Sequence, residues 1–417
     1  MNRPRVLFFN RCYWPDVEAT GQLLQELCET LVADWDVTVV AGQPNHILSD
    51  DGFVRRGHQQ HNGVVVERLR HTTFHKSSKL GRLTNLLTFT HQAKRWARKV
   101  RTDSAFDVIV SETDPFFLPL VAAPMARRLN SGFIVYAQDV YPDIAVAMKV
   151  VRNHPLVRQL RRRLLAAYRS ADRIVVLDED MRDRLVGWGL PTEKFEIVPN
   201  WVDTRIIQPI KQDNAFRKQF DLTNRFVVMH SGNMGMTQRL ETLIDASCSD
   251  NWPSEAMLVL VGDGSRRAAL QEYAENRQAK NVRFVDYQPK EWLSQSLSAA
   301  DLHVVSMDEC IQGCLAPSKL YGILATATPV LVVAPDSFSV SQEVSENQIG
   351  WTVPPGDVAG IVQRVRWAIE HPEELRACQR AALERAKATY DKTICCEQFA
   401  RVLKHVHQQR QRLEPSS

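Results

Sequence analysis

The sequence predicts an α/β protein made of two Rossmann-like domains that face each other across an interdomain cleft. Three observations carry this. Short β-branched apolar runs alternate with longer amphipathic helical patterns, which argues for parallel sheets covered by helices on both faces. The alternation runs through once and then starts again in the second half of the chain. The length, 417 residues, suits two or three domains each able to bury a core.

The elements follow in order. The first strand is "RVLFF", followed by a helix "GQLLQELCETLVAD", then the strand "DVTVVAG". A basic segment intervenes before the strand "FDVIVSE", the helix "LPLVAAPMARRLN" and the strands "FIVYAQD" and "RIVVLDE". After "FEIVPNWVDT" the pattern repeats: "FVVMHSG", the helix "TLIDASC", "MLVLVGDG", the helix "RRAALQEYAENR", "VRFVDY", the helix "EWLSQSLSAA", "LHVVS", a helix from Lys319, and "PVLVVAP". The domain boundary is therefore placed near Pro199 to Pro209. Ligands in open sheets of this kind bind beyond the carboxyl ends of the strands.

Composition narrows the classes. The chain is 44% hydrophobic and 24% charged, with a formal net charge of +4, too small a total to imply nucleic acid. The eight cysteines show no metal-type CxxC pairs and no secreted disulfide rhythm, so reduced thiols in a cytosolic compartment are expected. The apolar run in "MNRPRVLFFN" suits a buried strand and not a secretory leader. No window approaches the roughly 18 apolar residues of a spanning helix. No GxGxxG follows the first strand with an acid about 20 residues on, which argues against dinucleotide oxidoreduction.

Three strand ends in the second half are rich in glycine or small residues and lead into helices. "HSGNMGMTQRLETL" places Gly232, Asn233 and Gly235 there, "LVGDGSRRAAL" places Gly262 and Gly264, and "GCLAPSKLYGIL" ends in a lone lysine, Lys319. Free amides and the positive end of a helix dipole make such turns receptive to phosphate. A lysine there opposes the dipole by about 0.3–1 kcal/mol, a local cost that a bound diphosphate offsets. The plainer alternative is a lysine that snorkels to solvent behind a helix started by Pro317, with the glycines serving tight turns. In the first half, Gly21 enters a helix whose Leu23, Leu24, Leu27 and Leu31 share a face, so it either admits a ligand backbone closely or is a small residue at a helix start. Gln138 and Asp139 end the strand "FIVYAQD"; Asp139 either orients an acceptor hydroxyl and accepts its proton, or caps the next helix.

Charge distribution says more than net charge. From Arg68 to Thr102 there is no acid, whereas Arg68, Arg70, Lys76, Lys79, Arg82, Lys94, Arg95, Arg98, Lys99 and Arg101 are all basic, with Leu80, Leu83, Leu87, Trp96 and Val100 at roughly helical spacing. Residues 152–169 repeat the theme with Arg152, Arg158, Arg161, Arg162, Arg163 and Arg169. Amphipathic cationic helices favour anionic membrane surfaces; the alternative is a core-facing helix with a solvated basic face.

Seven segments, in order within a likeness that runs over roughly residues 4 to 390, resemble glycosyltransferase family 4, in particular its branch building bacterial surface polysaccharides, which includes fucosaminyltransferase-like O-antigen enzymes. They are "RVLFFNRCYWPDVEATGQLLQEL", "VYAQDVYPD", "ADRIVVLDEDMRDRLVGWGLPTEKFEIVPNWVD", "HSGNMGMTQRLETLIDA", "LVLVGDG", "PSKLYGILATATPVLVV" and "GWTVPPGD". The resemblance implies a GT-B fold: residues 1–200 as the acceptor domain, 201–390 as the nucleotide-sugar domain, and 391–417 as a final helix crossing back with a polar tail. It also implies a retaining, metal-independent sugar transfer from a nucleotide diphosphate sugar, UDP-linked, to a lipid-linked or other glycan acceptor, with no cofactor. The expected setting is cytoplasmic, with contact to the inner face of the membrane. Lys319, Ser318, Leu320, Gly232, Asn233, Gln238, Gly262 and Gly21 then fall to the donor, Gln138 and Asp139 to the acceptor, and Asp139 and Lys319 to catalysis. The chain departs from the family where two glutamates are usual, at Cys314 and Gly322, and where an arginine and a lysine clamp the diphosphate, at Asn233 and Gln238. Two other readings remain open at this point: a GT-B nucleotide-sugar epimerase, which needs no acceptor, and a non-catalytic sugar-binding or scaffolding subunit.

Overall fold

The computed structural model describes residues 3–16, 18–44, 53–74, 79–102 and 106–413. Among these, the chain divides into two compact units. The first comprises residues 1–199 with 313–316 and 396–417; the second comprises 200–312 and 317–395.

The first unit is built on eight strands: β1 (Arg5–Phe9), β2 (Asp36–Ala41), β3 (Gly57–His61), β4 (Val64–Arg68), β5 (Val108–Glu112), β6 (Gly132–Tyr136), β7 (Arg173–Val176) and β8 (Phe195–Ile197). Their order in the sheet is β3-β4-β2-β1-β5-β6-β7-β8, parallel throughout except for β3 against β4. β1 lies between β2 and β5, with Val6 beside both Val37 and Val108, so the order of strands reverses at β1. Every residue of β5 and β6 is buried, the pattern of parallel strands covered on both faces. The Ala19–Leu31 helix buries Gly21, Leu24, Leu27, Cys28 and Leu31 on one face. β3, "GHQQH", carries no apolar run; it is an edge strand whose register is set by pairing with β4.

The second unit holds β9 (Phe226–Ser231), β10 (Ala256–Val261), β11 (Val282–Val285), β12 (Leu302–Ser306), β13 (Val330–Val333) and β14 (Gly350–Val353). They form a fully parallel sheet in the order β11-β10-β9-β12-β13-β14. This is the doubly wound Rossmann order, with its reversal between β9 and β12. Its core joins Val228, Leu258, Leu260, Leu302, Val304 and Leu331 from the sheet to Leu243, Ile244 and Val365 from the covering helices.

The C-terminal helix, Lys392–Leu413, packs on the first unit through Phe399, whose ring lies 6.2 Å from Phe8 and 4.9 Å from Tyr136. Arg410 closes the contact with an ion pair to Asp172 at 2.8 Å.

The basic segments resolve into distinct roles. Arg68 is 1% exposed and donates to the Gly42 and Trp14 carbonyls. Arg161 pairs with Asp143 at 3.1 Å and lies over the Trp188 ring. Both are structural, so neither faces a membrane. The 79–99 helix turns Gly81, Asn85, Phe89, Ala93 and Ala97 inward and leaves Leu80, Leu83 and Leu87 exposed, followed by exposed Lys94, Arg95, Arg98 and Lys99. Lys76 lies outside the described residues. No described helix is long and apolar enough to cross a membrane.

Candidate functional site

Both sheets place polar groups at the carboxyl end where strand order reverses, as the geometry of doubly wound sheets requires. In the second unit these groups form a backbone cradle around one amine. The turn after β9 and the turn after β10 pack main chain to main chain: Met234 N donates to Asp263 O at 2.8 Å, and Arg266 N to Met234 O at 3.0 Å. Only glycine permits this. Gly262 has φ +127°, and a Cβ there would stand 2.1 Å from Gly232 O; at Gly264 a Cβ would meet Met234 O at 2.4 Å. Gly232, at φ +125°, leaves its own Cβ position open, 3.6 Å from Lys319 Nζ.

Lys319 opens the Lys319–Ala325 helix, seven residues long and preceded by Pro317 and the exposed Ser318. Its side chain runs inward to place Nζ 3.2 Å from His230 Nε2 at the end of β9. Burial alone lowers its pKa to about 7, since no carboxylate among the described residues is close enough to hold the charge. His230 is itself buried, its pKa pushed well below the usual histidine range by burial and then by Lys319. The cradle therefore offers an amine, an uncharged imidazole and bare backbone, a set that suits an anion entering from solvent.

The first unit presents the opposite balance. A cavity of about 390 Å³ is lined by Arg11, Glu18, Thr20, Arg82, Asn85, Asp114, Phe116, Asp139 and Tyr141, among others. Arg11 follows β1 and Asp114 follows β5, and they pair at 3.0 Å, with Glu18 on the same guanidinium at 3.3 Å. Arg11 is 8% exposed; burial opposes its charge, and the neighbouring acids outweigh that and hold it protonated. The Cys12 thiol donates to Asp114 at 3.2 Å, and burial and then Asp114 raise its pKa well above the usual value. Cys12, Glu18 and Asp114 lie close enough together to surround a cation, but the Arg11 guanidinium already bridges both carboxylates and the thiol is held protonated.

Asp139, after β6, lines the same cavity. Burial raises its pKa to about 7, a hydrogen bond with Thr113 works the other way, and Asp114 adds to the rise. One carboxylate oxygen, Oδ1, makes no hydrogen bond. Its backbone is fixed on both sides: Gln138 N donates to Thr113 Oγ1 at 3.1 Å, and Val140 N to Cys314 O at 2.8 Å, with Asp139 and Leu315 bridged antiparallel. Asp139 thus lines the cavity instead of capping a helix. Phe116 and Tyr141 stack beside it, centroids 4.7 Å apart and rings 12° from parallel, a flat apolar wall of the kind that receives a sugar face.

The structure thus brings Lys319, Gly232 and Gly262 together and sets Asp139 on the wall of the acid-rich cavity, while Gln138, next to it in the chain, does not line that cavity. Other expected residues have local duties. Gln238 accepts from Gly235 N at 2.9 Å and donates to Thr237 at 2.7 Å, closing its own loop. Leu320 is buried, and its amide donates to Pro317 O. Gly21 packs on the loop after β1, where a Cβ would come within 3.1 Å of Cys12 Cβ. Asn233 is exposed beside the cradle, its carbonyl 3.5 Å from His230 Nε2. Cys314 is buried, and Gly322 leaves room for Leu297. Sequence reasoning missed Arg11, Asp114 and His230. The signal for the first two was their position just past strands on either side of the reversal; His230 read only as part of an apolar strand.

A family model described as a glycosyl transferase 4-like domain matches residues 19–201, and one described as glycosyl transferases group 1 matches residues 211–385. The chain belongs to the family 4 glycosyltransferases. The transferase is 27% identical over 299 residues, 70% of this chain and 73% of the relative, to the probable glycosyltransferase WbjE of Pseudomonas aeruginosa. It is 23% identical over 415 residues, 95% of this chain and 98% of the relative, to the putative colanic acid biosynthesis glycosyl transferase WcaI of Escherichia coli K12. Among solved structures it is similar to sucrose-phosphate synthase of Thermosynechococcus elongatus, with a TM-score of 0.76 at 17% identity over 97% of this chain and 99% of that one. Anabaena HepE, crystallised with UDP-glucose, gives 0.71 at 16% identity over 96% and 99%. The transferase WaaG of lipopolysaccharide biosynthesis gives 0.65 at 16% identity over 94% and 97%. These likenesses establish the GT-B fold of the glycosyltransferase.

Proposed function

We propose that this transferase moves a sugar, with retention and without a metal or other cofactor, from a UDP-linked donor to a lipid-linked glycan during bacterial surface polysaccharide synthesis. The observation that carries the reading is the Lys319 amine beneath the bare backbone of Gly232, with no carboxylate among the described residues close enough to hold its charge. The donor diphosphate binds there, and the positive charge stabilises the diphosphate as it leaves, the largest single term in transfers of this type. As the bond between the sugar anomeric carbon and the phosphate oxygen breaks, the acceptor oxygen bonds to that carbon on the same face. The acceptor proton passes to the leaving phosphate oxygen. Asp139 orients the acceptor hydroxyl through its unsatisfied Oδ1, and the Phe116–Tyr141 wall receives the acceptor sugar.

HepE in complex with UDP and with UDP-glucose supports the nucleotide class, and the relatives WbjE and WcaI support the surface-polysaccharide setting. The exposed Leu80, Leu83 and Leu87 beside Lys94, Arg95 and Arg98 support an acceptor anchored in an anionic membrane. The test is a thermal-shift panel of nucleotide sugars, since a ligand bound only by the folded chain raises its melting temperature. Transfer from the best binder to polyprenyl-diphosphate-linked saccharides, with and without EDTA, then follows. A UDP-sugar that raises Tm and is transferred with retention in EDTA is the expected result. Donor turnover without acceptor would move the reading to an epimerase, and tight binding without turnover to a non-catalytic subunit.

A further inference from the structure

Lys319 is not held as a structural lysine normally is. Among the described residues Nζ has one side-chain partner, His230 Nε2 at 3.2 Å, which has no charge to offer. The titratable groups facing it are His230 from β9 and, behind it, His303 from β12; both are fully buried, and the charge of Lys211 also acts on His303. None is an acid. The amine is thus turned toward an uncharged imidazole on one side and toward the open Cβ position of Gly232, 3.6 Å away, on the other.

From this geometry we infer that donor binding takes up one proton from solvent: Lys319 rests as a neutral amine beside His230 Nε2, and becomes an ammonium when a nucleoside diphosphate enters beside Gly232. The balance is simple. The Nζ lone pair takes a proton from the buffer, no bond of the donor is touched, and the new N–H faces a phosphate oxygen while the imidazole of His230 stays neutral. Burial lowers the amine pKa to about 7, and two phosphate charges at hydrogen-bond range favour the protonated form. His230 acts here as a positioning residue, since a buried neutral imidazole keeps the amine aimed at the cradle without neutralising it. The inference rests on the diphosphate reading of Lys319, and its test separates the two.

The experiment is calorimetric titration of the full chain with UDP-glucose and with UDP, in phosphate and in Tris buffer at pH 8. UDP-glucose has no phosphate proton to exchange there, and UDP has already lost its own, whose pKa is about 6. The expected result is a difference in binding enthalpy between the buffers equal to about one proton taken up, and a Kd that weakens about tenfold per pH unit above about 7. Lys319→Arg, charged at every pH used, is expected to bind with equal enthalpies in the two buffers and a flat pH profile. His230→Gln, which keeps an uncharged polar group beside the amine, is expected to retain the uptake. Equal enthalpies for the wild type, or a pH slope that survives in Lys319→Arg, would overturn the inference and leave the diphosphate site standing. Unchanged affinity in Lys319→Met, or no binding of either probe by the wild type, removes the diphosphate reading and the inference with it.

Discussion

The two units share a doubly wound topology and put their reactive groups at the same place in it, yet they solve the electrostatics of that place in opposite ways. At the reversal of the first sheet, Asp114 and Glu18 pair with one buried guanidinium, Arg11, and these side-chain ion pairs hold the arrangement. At the reversal of the second, glycine backbone makes the shape and a single amine supplies the charge. The strand order therefore fixes where a site sits, while the residues just past each strand decide whether it receives a hydroxyl or an anion.

The comparison breaks most visibly where each half is held together. Arg11→Met leaves Asp114 and Glu18 without their cation, and removing one partner from a buried pair costs about 3–5 kcal/mol. Chemical denaturation should show that loss; an unchanged midpoint would mean the acids are solvated. Gly262→Ala strikes the second unit, where a Cβ 2.1 Å from Gly232 O forces the two turns apart. About 2–4 kcal/mol of stability should be lost, with weakened donor binding, read by Tm and by UDP-glucose titration. Neither substitution should alter the ligand side of the other unit.

Asp139→Asn sharpens the contrast. Loss of an acceptor-orienting carboxylate should slow transfer about 10²-fold with donor affinity unchanged, and remove any rise in rate between pH 6 and 8 that belongs to ionisation at about 7. Stability should move the other way. Because the folded pKa lies above the ordinary value of 3.8, the folded chain binds the extra proton between those values, and stability falls as pH rises through that window. The asparagine variant should therefore melt higher than wild type at pH 8, and the advantage should vanish toward pH 4. The smallest effect belongs to the exposed helix face: Arg98→Gln should weaken co-sedimentation with anionic liposomes by about 1 kcal/mol, and binding that ignores both this change and added salt would dissociate the basic face from any lipid role.

What the sequence made legible follows the same division. Buried parallel strands such as β5 and β6 are continuous apolar runs and stand out unaided. β3 does not, because an edge strand of alternating polar residues is defined by its partner and not by its own composition. In the site, Lys319, Gly232 and Gly262 were visible because each violates its local context: a lone cation in an uncharged run, and glycines between a strand and a helix. Gly21 stands out as a glycine at a helix start, whereas Gln238 and Leu320 are picked out by the family resemblance alone; the contacts of these three in the structure are packing and local hydrogen bonds. Arg11 and Asp114 were invisible as a pair because 103 residues separate them, and His230 because a histidine inside an apolar strand signals nothing until its neighbour is known. The outward Leu80, Leu83 and Leu87 had helical spacing, but which face looked inward was decided by Phe89 and Ala93 on the other side.

The measurement that bears most directly on the account is the affinity of the UDP-sugar for wild type and for Lys319→Ala at pH 7, paired with single-turnover transfer. With the amine gone, we expect single-turnover transfer to fall 10²- to 10³-fold and binding to weaken at least tenfold, with Tm of the unliganded chain little changed. Equal affinity and equal turnover in the alanine variant would contradict it.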